Sequence, residues 1–127
     1  MDIQYLLKIK EEFGMQNNNS KEIAKDFLKK LRNHFGNRVE GFSIYAITDE
    51  PYKMFSIKFT AYNYFKIIFN YDRGRFGCSI CYGEDGIALT SSQEWYDKAD
   101  MNIFFKELEE QLQLRIPDKF LEFYGWK

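Results

Sequence analysis

The period of the hydrophobic pattern changes twice along this chain, and no other feature constrains its fold as strongly. Up to Phe35 apolar residues recur every three to four positions. From about Gly41 to Tyr82 they alternate with polar ones, and after Asp97 the helical spacing returns. An amphipathic helix must bury its apolar stripe, and an alternating strand offers one apolar face. Helices on one face of an antiparallel sheet, an α+β fold, satisfy both needs. The 127 residues contain no repeat, low-complexity tract or proline-rich linker, so a single domain over 1–127 is expected.

Two helices come first. Met1 to Phe13 sets Ile3, Leu6, Leu7 and Phe13 on one side, with Gly14 after it. The next is the clearest element in the chain. Asn19 or Ser20 can cap it, Ile23, Ala24, Phe27, Leu28, Leu31 and Phe35 form its stripe, and Gly36 stops it. Alternation in Phe55–Phe59 and Phe65–Tyr71 predicts strands. Facing Phe59 against Phe65 predicts a three-residue hairpin, Ala61-Tyr62-Asn63, with Asn63 left-handed. Turns at Asp49-Glu50-Pro51, Asp72–Arg75 and Gly83–Gly86 then give a meander of four strands, with a short fifth at Ile87 to Thr90. Asp100 caps a helix that buries Met101, Phe104, Phe105, Leu108 and Leu112. Pro117 opens a short last helix. The expected order is two N-terminal helices, an antiparallel four- to five-stranded meander, and two C-terminal helices packed on one face of the sheet.

Motifs for chemistry are sparse. Cys78 and Cys81 are three apart in a predicted strand, so they point to opposite faces, and no second cysteine pair completes a zinc site. The single histidine, His34, sits at a helix end, where a structural role is expected. Arg73-Gly74-Arg75-Phe76-Gly77 matches no phosphate-binding loop and reads as a hairpin turn. No enzyme, no metal and no cofactor are expected. Lys8, Lys10, Glu11 and Glu12 interrupt the first segment, and no apolar run approaches the ~20 residues that cross a bilayer. A cytoplasmic location with reduced thiols, and no membrane partner, follows as the expectation.

Charge is unevenly spread. Residues 1–83 carry 13 basic and 9 acidic side chains, whereas residues 84–127 carry 5 and 10. The acidic part begins at Glu84 and Asp85 and continues through Glu94, Asp97 and Asp100, with Trp95 and Tyr96 between them. Rings supply desolvated contact area and carboxylates steer a basic partner, so these seven residues are the candidate partner-binding set. Overall, 18 basic against 19 acidic side chains do not favour direct nucleic-acid binding. The alternative is a nucleic-acid or regulatory module using Lys21, Lys25, Lys29, Lys30 and Arg32 of the second helix, extended by Arg73 and Arg75.

A small α+β chain rich in Phe and Tyr, with an acidic aromatic segment, resembles the bacterial immunity proteins of polymorphic and contact-dependent growth-inhibition toxins. The segment Arg115-Ile116-Pro117-Asp118-Lys119-Phe120-Leu121-Glu122-Phe123-Tyr124-Gly125-Trp126 is similar to segments of such proteins in which Ile/Leu-Pro opens a helix ending near Gly. The resemblance implies a non-enzymatic protein that binds the C-terminal domain of a cognate toxin and occludes its active site. Such toxins are often basic nucleases, against which an acidic face would compete with phosphates.

Overall fold

The computed structural model describes residues 18–89 and 91–127. The expected first helix, Met1 to Phe13, and Thr90 of the expected fifth strand lie outside them. The described chain runs α1 (Ser20–Phe35), β1 (Val39–Thr48), β2 (Met54–Ala61), β3 (Phe65–Asp72), β4 (Arg75–Tyr82), β5 (Asp85–Ala88), β6 (Glu94–Trp95), α2 (Met101–Arg115) and α3 (Asp118–Phe123). It is an α+β fold with one described helix before the sheet and two after it. The sheet is antiparallel, in the order β1-β2-β3-β4-β5. The two-residue β6 makes a sixth strand, pairing with Arg75 and Phe76 on the edge of β4 that β5 occupies further along. The fifth strand starts two residues earlier than its alternation suggests, because Gly83-Glu84 closes a tight turn that pairs Tyr82 with Asp85.

Local chemistry accounts for each boundary. Asn19 caps α1, its Oδ1 accepting from the Glu22 N–H at 2.9 Å, and Gly36 ends it at φ 58°. Asp100 caps α2 by accepting from the N–H groups of Asn102 and Ile103. Arg73 and Gly74 both take positive φ, as a two-residue hairpin turn requires. The β2–β3 hairpin departs from expectation by one residue. Ala61 pairs with Phe65 and Phe59 with Ile67, so the loop is Tyr62-Asn63-Tyr64. Asn63 is left-handed as expected, and so is Tyr62, at φ 56°.

The helix-facing side of the sheet is Phe55, Ile57, Phe59, Ile67, Phe69, Tyr71, Phe76, Cys78 and Ile80, all buried. Phe27 of α1 stacks on Phe69 at 3.7 Å between ring centres, and Phe104 of α2 meets Phe76 edge-on at 5.3 Å. Each such ring contributes about 1.5–3 kcal/mol by leaving water.

One polar joint locks helices to hairpin. Arg38, just after α1, donates from Nε to the Phe35 carbonyl and from Nη2 to the His34 carbonyl, satisfying two groups of the helix end. Its Nη1 donates to Glu109 of α2 at 2.7 Å and to the Tyr62 hydroxyl at 3.1 Å. The Tyr62 N–H donates back to the Arg38 carbonyl, and Gln113 donates to the same hydroxyl. His34 completes the joint: a carboxylate only accepts, so its Nε2–H donates to Glu109 at 3.1 Å. Burial alone would raise the Glu109 carboxyl. The hydrogen bonds and charges of Arg38 and His34 outweigh it and hold Glu109 below the usual glutamate range.

A group held below its unfolded pKa stabilises the fold above that unfolded pKa, and the gain is lost as pH falls through the folded one. Glu109→Gln is therefore expected to cost about 1–3 kcal/mol at pH 7, with the gap to wild type shrinking below the usual glutamate pKa of about 4.3. Urea unfolding at pH 7 and pH 3 checks it, and an equal gap at both would remove Glu109 from the joint.

Candidate functional site

The seven acidic and aromatic residues do not form one surface. Glu84 and Asp85 sit at the β4–β5 turn, whereas Glu94 and Trp95 pair with the first two residues of β4. Seven residue steps separate Arg75 from Tyr82, about 23 Å along the strand. Tyr96 is 3% exposed: it packs on Phe69, Tyr71 and Phe76, and its hydroxyl donates to Asp26 at 2.8 Å. Burial first, then Asp26, pushes its pKa far up, so the phenol stays neutral. Asp100 is engaged as the α2 cap. Glu94, Trp95 and Asp97 remain together at an exposed end of the sheet.

What surrounds them is different from the expected acidic face. Paired residues of an antiparallel ladder share a side, so Trp95 lies with Arg75 on the side of the sheet away from the helices. The Arg75 guanidinium stands 4.9 Å from the Trp95 ring centre, and Trp95 keeps 43% of its surface exposed. The indole lies so close over Gly74 that an added Cβ there would sit 3.0 Å from it. One residue earlier, Arg73 stacks at 3.8 Å over exposed Tyr52, and its N–H bonds the Lys53 carbonyl at the start of β2. Tyr52, Lys53, Tyr71, Arg73 and Gly74 line a cup of about 230 Å³. The Tyr71 phenol is pushed up by burial and then by the Asp97 carboxylate, which places that charge near the cup. This end of the sheet is thus of mixed sign: Asp72 pairs with Arg75 and bonds Arg73, while Glu94, opposite Phe76, lies on the helix side.

The sequence alone did not bring Tyr52, Arg73 and Arg75 to this end. The hairpin turn at Arg73-Gly74 was visible, but the two-residue β6 that carries Trp95 to it has no periodicity to read.

The basic residues of α1 divide as well. Lys30 pairs with Asp26 at 2.9 Å and stands over the Tyr96 ring, while Lys21, Lys25, Lys29 and Arg32 are exposed. Arg75 is on the opposite side of the sheet and does not extend that patch. Cys78 and Cys81 are unbridged, one buried and one half-buried, on opposite faces as their spacing requires. Burial, with Cys81 and Glu107 adding to it, pushes the Cys78 thiol far up, which keeps it protonated. Among the described residues no group of three or more His, Cys, Asp or Glu side chains is placed to hold a metal ion, and no helix is long and apolar enough to cross a membrane.

Comparison with protein families, curated proteins and solved structures finds no match.

The division of labour between neighbouring rings is measurable. Tyr96→Ala is expected to destabilise by about 3–5 kcal/mol, as a buried ring does, and Trp95→Ala by about 1 kcal/mol or less. Comparable losses in chemical denaturation would mean that Trp95 belongs to the core.

Proposed function

We propose that this protein is a non-enzymatic immunity protein that neutralises a cognate toxin domain, of the basic nuclease class, by covering its active surface. The observation that carries this reading is the pair of ring–guanidinium stacks, Arg73 on Tyr52 and Arg75 on Trp95, exposed side by side on one end of the sheet. Trp, Tyr and Arg are the residue types that dominate the energetics of protein interfaces. Stacking fixes both guanidinium groups before any partner arrives, so less side-chain entropy is lost on docking. The cup beside them is of a size to receive one partner side chain. Glu94, Asp97 and Asp72 supply carboxylates at the same end for a cationic groove, and Glu84 and Asp85 offer a second set at the far turn. The resemblance of Arg115–Trp126 to immunity proteins supports the same class. In this reading the protein works in the cytoplasm, where the toxin would act, and needs no cofactor.

The test is protection. Expression of the toxin gene neighbouring this one should stop growth, and co-expression of this protein should restore it. Trp95→Ala combined with Arg73→Glu should weaken binding of the purified toxin domain by about a hundredfold, some 2.7 kcal/mol, while leaving the unfolding midpoint within about 1 kcal/mol of wild type. Failure of the wild-type protein to protect would end the proposal, and unchanged affinity in the double variant would move the interface away from Trp95. Charge reversal at Asp100 is a poor probe, because losing the α2 cap costs about 1 kcal/mol by itself.

A further inference from the structure

The outermost strand, β1, pairs with β2 alone among the described strands, so its other edge presents backbone N–H and C=O groups that no described strand takes up. Two irregularities frame a regular stretch of that edge. Pairing shifts between Glu40 and Ser43, where Gly41 takes φ 68°, and again between Tyr45 and Thr48, where Ala46 takes φ 53°. Between them Ser43, Ile44 and Tyr45 pair in register with Lys58, Ile57 and Ser56. Ile44 and Tyr45 are each 41% exposed, an uncommon pair of apolar side chains on a sheet edge. Ile44 shares the helix side with Ile57, and Tyr45 the opposite side with Ser56.

On the helix side this edge is flanked by cations. Lys21, Lys25, Lys29 and Arg32 are exposed and spaced four, four and three residues apart, which sets them in one lane along α1 with no carboxylate among them. Arg32 lies 4.8 Å over the ring of Phe42, which ties the lane to β1. Lys25, Leu28, Lys29, Arg32 and Asn33 line a shallow groove of about 270 Å³ there.

We propose that the outer edge of β1, between its two bulges, accepts an extended acidic segment of a partner protein as an added strand. Side chains of that segment on the helix side meet Lys25, Lys29 and Arg32 and are carboxylates. Those on the other side rest against Tyr45 and are apolar. A second copy of this chain does not fit, since edge-to-edge pairing would bring two lanes of like charge together. A nucleic acid could meet the cations but has no peptide amides to exchange with the strand edge. The two bulges limit the addition to a few residues and keep the sheet from growing further. This edge lies three strands from β4 and its Trp95 surface, and the proposal stands whether or not that surface binds a toxin.

The probe is a fluorescently labelled ten-residue peptide of alternating valine and glutamate, titrated into the full-length protein by anisotropy. Binding is expected, with slowed exchange at those amides of Ser43, Ile44 and Tyr45 whose N–H points away from β2. It should weaken by about tenfold or more in the Lys25→Glu, Lys29→Glu, Arg32→Glu variant, and equally when alternate peptide amides are N-methylated, which removes the ladder bonds without touching the protein. Absence of binding would overturn the proposal. So would equal affinity for an alternating valine–lysine peptide, equal affinity for the N-methylated peptide, or tighter binding of oligo-dT with no protection of β1, which would make the lane a phosphate-binding face.

Discussion

The Arg38 guanidinium is the one group without which the described elements have no common reference. Five donors in a rigid fork let it close the end of α1, hold Glu109 of α2 and hold the Tyr62 hydroxyl of the β2–β3 hairpin at once. An aromatic residue at φ 56° is costly backbone, and Tyr62 is also completely buried. Both conditions hold because its N–H and its hydroxyl are bonded to the same arginine, and because Trp126 meets its ring edge-on at 5.5 Å. The helices are therefore indexed to the sheet by directional bonds, while the phenylalanine layer between them supplies most of the energy without choosing an orientation.

That distinction explains what could be read from the residue order. Alternation in β2, β3 and β4 and the stripes of α1 and α2 identified their buried faces, because burial is what periodicity records, although Leu28 is only half-buried and Tyr82, at the end of the β4 face, is exposed. It is blind to a slip that keeps every side chain on its own face. The hairpin pairing is displaced by two residues for that reason, with Phe59 opposite Ile67 in place of Phe65, and the contact that selects it, Arg38 with Tyr62, is 24 residues apart in sequence. Caps were legible at Asn19 and Asp100, since the chemistry is local.

The candidate surface was half legible. Trp95 and its carboxylates stood out as an aromatic and acidic segment, but composition does not say that the next ring, Tyr96, turns inward to reach Asp26. Nor does it show that arginines from a neighbouring turn stack beside Trp95. The result is a face on which charges of both signs are interleaved with flat rings. Such a face discriminates by matching positions more than by net attraction, because a misplaced partner meets a like charge.

The loops between β2, β3, β4 and β5 are only two or three residues long, and this shapes how the chain reaches its final state. Closing such short loops takes little search, so the central ribbon can zip from its own turns before distant segments arrive. The helices come from either side of that ribbon in sequence, and docking them closes much longer loops. Assembly then has a natural order, a quick local sheet followed by a slower capture of the flanks. Length variation is tolerated least at those three reversals, where one added residue would break a minimal turn.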